Sequence, residues 1–455
     1  MALILTCKGK VLLKIVTREE WNMKKLLLII LLGSACAGIF GDRLSAQVEI
    51  GKGLTLDGYM RYRTEWDDRD FSGLRETDSY STLRTRLGLK AEEIIESVTM
   101  YLLIGDSRTL GYSDPYLEGS PIGPISYDNG LGVTEAYVKI GDFFHPSLTA
   151  VLGRMQFNHG RNRFFGPGNW NVNGPRRYDG FYMQYAVPFG SVKAFRFWGM
   201  QGDRHWRPEP SNKDHMLSGI DVRLLREQLQ LLLLCDHDAE ETVSILDGSK
   251  NTHLKKYTFL GYYGRKQQDG GWKVDLDWAY QWGEQANLLG TSTIGAYMAA
   301  GDCAYYFDKN RSPWLGIGFD MTSGDDGSDP EKVSFFTAEY FSKHSFQGQM
   351  DYFMQVSAKQ PGLQSLILRG GFAPDDRSRV TVDIHSFMYQ EPYISLMDGE
   401  DTHAIGREID ITADYELRQG ISMSFGLDLF FPSDHWAGPD SESTLFSYLS
   451  LTTQF

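Results

Sequence analysis

Residues 131–180 read LGVTEAYVKIGDFFHPSLTAVLGRMQFNHGRNRFFGPGNWNVNGPRRYDG, with alternating segments on either side of a part rich in arginine, glycine and aromatic residues. In 134–140 the even positions are apolar or small and the odd positions are polar, which is the period of a β-strand. Residues 160–174 contain four glycines that interrupt regular structure, while Phe164, Phe165 and Trp170 supply bulk. The stretch therefore predicts two barrel strands and, between them, a segment that folds inward against a wall.

The same alternation recurs along the chain. Residues 54–66, 81–92 and 272–282 each place leucines or aromatic residues on one face and polar residues on the other. Two of these segments offer an arginine pair to the polar face, namely Arg61 with Arg63 and Arg84 with Arg86. Residues 272–282 put three tryptophans on the apolar face, which is unusual for a strand of a soluble protein.

A soluble sandwich and a transmembrane barrel both produce this pattern, because one face is apolar in each. Segments of about ten alternating residues, with Tyr and Trp beside the turns, are typical of outer-membrane barrels. The final segment alternates up to Phe455, so the chain ends on a lipid-side phenylalanine. No stretch after the N-terminal 46 residues reaches about 18 consecutive apolar positions, which excludes helical spans there. The sequence predicts an all-β, antiparallel transmembrane barrel of about 18 strands, with long extracellular loops.

The N-terminal 46 residues are predicted to be an extension followed by a cleaved signal peptide. Met23, Lys24 and Lys25 begin a basic region, an apolar run follows, and small residues end at Ala46. Cleavage after Ala37 is the alternative, and translation can start at Met1 or Met23. Residues 47–455 are then the barrel domain, in the outer membrane of a Gram-negative bacterium.

Charge and cysteine content narrow the function. Residues 1–46 carry seven Lys/Arg and three Asp/Glu, so the formal charge of −14 for the whole chain becomes −18 for residues 47–455. This acidity argues against a nucleic-acid partner. Cys235 and Cys303 are predicted to be unpaired thiols, and no spacing of Cys or His indicates a metal site. No cofactor is expected.

The ordered motifs resemble the alginate export family of outer-membrane porins. The matching residues are Glu135-Ala136-Tyr137, Gly153-Arg154-x-Gln156, Arg163-x-Phe165-Gly166 to Trp170, Arg176-Arg177-x-Asp179-Gly180, Asp106-x-Arg108, Ser323-Gly324-Asp325-Asp326 and Gly406-x-Glu408-Ile409-Asp410. The resemblance implies an 18-stranded monomeric barrel with an arginine-rich constriction, through which an anionic polyuronate passes passively. It leaves the polymer and the direction of transport open.

Eleven residues are candidates for the pore lining or substrate path: Arg61, Arg63, Arg84, Arg86, Glu135, Arg154, Arg161, Arg163, Arg176, Arg177 and Asp179. Arginine stays charged and grips carboxylates with its planar fork, so a ring of arginines selects anions. The structural alternative is that these arginines only pair with carboxylates of neighbouring strands. Within the set, Arg154, Arg161 and Arg163, with Asp179 as their acidic counterpart, are expected at the narrowest part of the lumen.

The resulting hypothesis is a non-enzymatic porin for anionic solutes, most specifically an exporter of an alginate-like acidic polysaccharide. Its expected partners are outer-membrane lipids, the anionic polysaccharide or small anions, and the barrel assembly machinery, which would recognise the C-terminal strand. The alternatives are a general or nutrient-specific porin and a barrel enzyme that uses His385 beside Asp383. The acidic loop 321–332 is interpreted as solvated, with calcium binding as its alternative.

Overall fold

The computed structural model describes residues 6–7, 10–11, 48–70, 78–110, 129–166, 170, 176–201, 215–243, 250–265, 271–287, 290–307, 313–337, 343–352, 361–394 and 401–455. Eighteen long strands form one closed barrel, in which consecutive strands pair in antiparallel fashion and the last pairs with the first. The predicted all-β barrel is thereby confirmed. The predicted cleavage sites after Ala37 and Ala46 lie outside the described residues.

The barrel belongs to the compact unit Leu44–Phe455, and the short strands Thr6–Cys7 and Lys10–Val11 pair with each other in a separate unit, Met1–Arg43. Within the barrel unit, Val48–Gly51 and Lys332–Val333 add two short stretches of strand. The eighteen long strands are β1 Leu54–Asp68, β2 Asp78–Glu92, β3 Val98–Leu110, β4 Asn129–Ile140, β5 Leu148–Met155, β6 Arg177–Val187, β7 Gly190–Gln201, β8 His215–Leu224, β9 Leu229–Val243, β10 Lys250–Arg265, β11 Gly271–Asn287, β12 Gly290–Tyr306, β13 Trp314–Thr322, β14 Leu363–Phe372, β15 Ser378–Ile394, β16 Asp401–Arg418, β17 Ile421–Pro432 and β18 Thr444–Gln454.

Connections of different length separate the two ends of the barrel. The connections at one end are short, among them 188–189, 225–228 and 419–420, whereas those at the other end include 111–128, 156–176 and 323–362. Short turns face the periplasm and long loops face the exterior in barrels of this kind. Helical structure in the described residues is limited to the four-residue α1 (Asp434–Ala437), capped by Ser433, and the 3₁₀ turn Lys343–Ser345. No described helix has the length and apolarity needed to cross a bilayer.

The two faces of the wall follow the predicted alternation. Met60, Tyr62 and Trp66 on β1 are 36–41% exposed, while Arg61 and Arg63 between them are 8% and 4% exposed. The exposed set continues around the barrel as leucines, isoleucines and aromatic residues, which suits a surface in contact with lipid. The free thiols of Cys235 and Cys303 lie on β9 and β12.

Several strands extend farther than their turn signals suggest. Residues 105–110 begin with Gly-Asp-Ser and residues 236–243 carry four acidic side chains, which is typical of loops, yet both stretches continue β3 and β9. The reason is that a polar residue in a barrel strand does not indicate a loop. Asp236 is completely buried on the lumen side of β9 and pairs with His215 at 2.5 Å.

Candidate functional site

The lumen wall formed by β1 and β2 carries a group of arginines that we call the arginine wall: Arg61, Arg63, Arg84 and Arg86. Arg61 stands directly opposite Arg84 in the strand register, and Arg84 is only 1% exposed. Like charges opposite each other destabilise a sheet, so this pairing gives no stability of its own. The arrangement favours a role in attracting an anion.

Three hydrogen bonds of the arginine wall go to uncharged groups. Arg84 donates to the Tyr59 hydroxyl at 3.0 Å, and Arg61 and Arg63 both donate to the backbone carbonyl of Trp170, at 2.8 and 3.0 Å. Glu65 pairs with Arg63 at 2.5 Å. Hydrogen bonds to a phenol and a carbonyl orient guanidinium groups without cancelling their charge.

Glu135 on β4 extends this polar region towards β6. Its carboxylate accepts from Gln156 at 2.6 Å and pairs with Arg177 at 3.0 Å, and it is 5% exposed. Arg176 lies immediately before β6 and is half-buried. Six of the predicted residues, Arg61, Arg63, Arg84, Arg86, Glu135 and Arg177, therefore lie in one connected part of the described wall.

Residues 156–170 form the first inward segment, whose described parts are 156–166 and Trp170. Phe157, Phe164 and Phe165 are at most 8% exposed and join a cluster with Phe195 and Phe197 on β7. The prediction that this segment folds inward against a wall is confirmed for these residues. Burial of three phenylalanines supplies the main driving force for folding the loop inside rather than outside.

Polar contacts hold the same segment at its turn. His159 Nδ1 lies 2.9 Å from Asp221 on β8, and the Gly160 amide donates to Gln230 on β9 at 2.9 Å. Gly160 has φ +55°, and a Cβ there would lie 2.9 Å from the Cβ of Tyr262. Glycine is needed because both the conformation and the close approach exclude a side chain.

Arg161 and Arg163 fix the first inward segment to the opposite wall. Arg161 pairs with Asp302 at 2.5 Å and Asp277 at 2.6 Å. Arg163, which is 1% exposed, pairs with Asp320 and also contacts Asp277 at 3.2 Å. Their acidic partners lie on β11, β12 and β13, so the expected counterpart, Asp179, is not among them. Most of their charge is neutralised, which makes these arginines anchors rather than open anion sites.

Arg154 and Asp179 lie elsewhere than expected. They stand opposite each other on β5 and β6 and form a bidentate pair at 2.7 and 2.8 Å. Val151 and Met155 on the lumen side of β5 are 2% exposed, whereas Leu152 is 48% exposed on the outer side. Because Arg154 alternates in step with Leu152, the pair lies on the outer face near the loop end of β5.

A second inward segment, residues 343–352, lies between β13 and β14. Met350 donates its amide to Glu408 at 2.8 Å, and Phe346 lies under Arg163 with 4.0 Å between the guanidinium and the ring centre. Sequence reasoning missed this segment. Its sequence carries the same signal as 160–174, namely aromatic residues without alternation around a glycine. That glycine, Gly348, has a positive φ in the structure.

Trp170 connects the two inward segments with the arginine wall. Its ring lies 3.6 Å from His344 in a stacked arrangement, and the Arg63 guanidinium lies 3.8 Å from the ring. His344 is held in turn by Asp351 at 2.8 Å. The two segments thus form a bridge across the lumen, from the aspartates of β11–β13 to the arginines of β1.

His385, the candidate residue of the enzyme alternative, lies in a row of buried side chains. Ser365 lies 3.2 Å from His385 Nδ1, and Asp410 lies 3.5 Å from His385 Nε2. These three residues are only 2–3% exposed, so a substrate cannot reach the serine. Asp383, the expected partner of His385, instead contacts Arg369 at 3.4 Å. The row is best explained as part of the wall.

The acidic loop 321–332 directs its carboxylates at its own backbone. Asp325 accepts from Gly327 and Ser334 at 2.8 Å, Asp326 accepts from Ser328 at 2.9 Å, and Asp329 accepts from Glu331 at 3.0 Å. The hydrogen bonds from Ser328 lower the pKa of Asp326. No group of three or more potential metal ligands occurs among the described residues. This geometry favours the interpretation as a solvated loop.

Comparison with solved structures places the fold among porins. The chain is similar to a BenF-like porin from Pseudomonas fluorescens Pf-5, with a TM-score of 0.60, 9% identity, and coverage of 88% of this chain and 98% of that one. It is also similar to Pseudomonas aeruginosa OpdK with vanillate (TM-score 0.55, 12% identity, 88% and 98% covered) and to Acinetobacter baumannii OccAB3 (TM-score 0.56, 9% identity, 88% and 99% covered). At 9–12% identity, these similarities show a shared fold and nothing about the solute.

A search of curated protein sequences gives no significant match. The family model described as "Alginate export" matches residues 53–443, which includes nearly the whole barrel. The match covers both inward segments and the arginine wall. The chain is therefore an outer-membrane β-barrel porin that belongs to the alginate export family.

Proposed function

We propose that this porin passes anionic solutes along the arginine wall, and that its natural solute is an acidic polysaccharide of the alginate type. The observation that carries the proposal is the direct pairing of Arg61 with Arg84, beside Arg63 and Arg86. Like charges held together raise the local positive potential, so they attract a passing carboxylate even where the guanidinium group itself is buried, as that of Arg84 is. Family membership supports the polysaccharide as the solute.

The lumen also has an acidic side, and this bears on selectivity. Asp275, Asp277, Asp302 and Asp320 face the bridge, but Arg161, Arg163 and Arg369 pair with all four. A paired carboxylate repels anions weakly compared with a free one. The arginine wall consequently adds a positively charged stretch to an anion's path, despite the net charge of −18 for residues 47–455.

A second candidate function is uptake of small aromatic carboxylates. It is favoured by the similar fold of OpdK, whose structure was solved with vanillate. Both functions use arginine to bind a carboxylate, and they differ in whether the carboxylate belongs to a polymer. Discrimination therefore requires a polymeric and a small probe on the same pore.

Planar-bilayer recording tests the proposal. Wild-type protein should give a reversal potential of anion-selective sign in a KCl gradient, and a trimer of mannuronate should block the current while neutral maltotriose does not. Replacing both arginines (Arg61→Gln with Arg84→Gln) should move the reversal potential towards zero, because it removes two of the four charges of the arginine wall.

Arg154→Ala is the matched control, since it removes an arginine from the outer face. It should leave selectivity and block unchanged. Cation selectivity of the wild type would overturn the proposal, as would equal selectivity in the double variant. Block by vanillate without block by mannuronate would favour the small-carboxylate function.

A further inference from the structure

A recess of about 220 Å³ opens in the lumen wall at the short-turn end of the barrel, where β11–β15 come together. It lies below the anchor of the first inward segment, since Arg161 forms part of its lining. The short-turn end is the periplasmic end of an outer-membrane barrel. A solute leaving the periplasm therefore meets this recess before it reaches the bridge.

The lining of the recess carries an excess of positive charge. Arg161, Lys273, Arg369 and Arg379 line it, against two carboxylates, those of Asp275 and Asp302. Asp302 is already held by Arg161 at 2.5 Å and by Arg369 at 2.7 Å. Arg161 is also held by Asp277 and Arg369 contacts Asp383, so Arg161 and Arg369 are compensated. Lys273 has a single carboxylate contact, to Asp275, and Arg379 has none in the described part of the chain.

Two of the cations are open to a ligand. Lys273 is 44% exposed, and its contact with Asp275 is 3.4 Å long. The side chain of Arg379 makes no hydrogen bond or ion pair with other residues in the described part of the chain. An arginine without a carboxylate partner at the edge of a recess keeps its bidentate fork available.

Aromatic rings form the remaining wall of the recess. Tyr306 and Trp314 stand opposite each other in the register of β12 and β13, and their rings are stacked with 5.8 Å between centres. A flat aromatic surface beside a few placed charges is typical of sites for ring-shaped ligands with a polar group.

We propose that this recess binds a six-membered ring that carries a carboxylate, as the first subsite at the periplasmic entrance. The ring packs on Tyr306 and Trp314, and the carboxylate pairs with Lys273 and Arg379. This inference rests on the proposed function and names where the anionic solute is first held. A uronate residue of a polymer and an aromatic acid share this chemistry.

The test uses the full barrel in a planar bilayer, with a mannuronate trimer added to the periplasmic side. Lys273→Ala combined with Arg379→Ala should shorten the mean block time about tenfold, since one charge-assisted contact is worth about 1.4 kcal/mol or more. Arg377→Ala is the matched control, because Arg377 is exposed in the short turn beside the recess and does not line it. Its block time should equal that of the wild type.

Equal block times in the double variant and the wild type would overturn the subsite, and so would equal shortening by Arg377→Ala. Trp314→Leu, which keeps all charges, should also shorten the block and gives a second measurement if the double variant does not fold. Benzoate in place of the trimer distinguishes an aromatic acid from a uronate as the ligand. Block by benzoate without block by the trimer would assign the recess to aromatic acids. The reversal potential without any blocker tests the proposed function independently: a cation-selective pore whose block still depends on Lys273 and Arg379 would contradict that function and leave the subsite intact.

Discussion

At the scale of single residues, the arginines predicted to line the pore differ in what surrounds them. Arg61 and Arg84 face each other in the lumen, where Arg61 donates to the carbonyl of Trp170 and Arg84 to the hydroxyl of Tyr59. Arg163 is buried among aspartates, and Arg154 lies on the outer face with Asp179. An arginine's role in this protein therefore depends on its partners, which the residue type alone does not reveal.

Arg163 gives a direct prediction. Arg163→Met should lower the free energy of unfolding by about 3–5 kcal/mol, because it leaves the buried carboxylate of Asp320 without its cation and removes one of the two arginines that contact Asp277. Thermal unfolding in detergent, followed by circular dichroism, measures the change. Arg418→Met is the control, since Arg418 is exposed at the short-turn end of β16, and it should unfold at the wild-type temperature. A stable Arg163→Met barrel would contradict the role of Arg163 as an anchor.

At the scale of elements, the two inward segments act as one bridge. Three phenylalanines of residues 156–166 pack against β7. In residues 343–352, the amide of Met350 donates a hydrogen bond to Glu408 on β16. The two segments meet at Trp170 and His344, whose rings stack. Neither segment has the period-two alternation that allows a strand to pair, so packing on the inner wall stabilises both.

The link at Trp170 can be tested without disturbing the wall. Trp170→Ala removes a ring held between Arg63 and His344, at a cost of about 1–2 kcal/mol, but keeps the carbonyl that Arg61 and Arg63 bind. We expect larger and noisier single-channel conductance with anion selectivity preserved. Trp282→Ala, on the outer face, should leave conductance unchanged. Identical traces for Trp170→Ala and the wild type would show that the bridge does not limit the current.

At the scale of the whole molecule, closure of the barrel depends on the pairing of β18 with β1. The last residue takes part in this seam: Phe455 and Gly58 exchange two backbone hydrogen bonds of 3.0 Å. The Phe455 ring covers Gly58, where a Cβ would lie 2.2 Å from a ring atom. Gly58 therefore leaves the space in which the terminal ring lies.

Removal of Phe455 should reduce the amount of folded barrel in the outer membrane several-fold, because it removes both hydrogen bonds and the ring at the closing seam. Heat-modifiable mobility of membrane fractions in electrophoresis measures the folded amount. Phe455→Tyr keeps the backbone and the ring and should assemble normally, as should Phe189→Ala in the exposed turn after β6. Normal assembly of the truncated chain would refute this role of the C-terminus.

The sequence by itself determined the barrel, the strand faces and the lumen position of Arg61, Arg63, Arg84 and Arg86. Period-two alternation is local, so each strand reports which side chains share a face without knowledge of its neighbours. The same locality explains the inward segment at 160–174, where glycines and aromatic residues replace alternation. The pattern also indicated Phe455 as a lipid-side residue.

Only the tertiary structure decided which charges meet. Asp277, Asp302 and Asp320 lie 114–157 residues from the arginines they hold, and no local pattern encodes a contact across the lumen. Arg154 was expected in the lumen from its motif. It lies two residues after Leu152, whose side chain is on the outer face, and side chains of a strand alternate, so Arg154 also lies on the outer face. The second inward segment and the recess at the periplasmic end likewise exist only because closure of the barrel brings distant strands around one space.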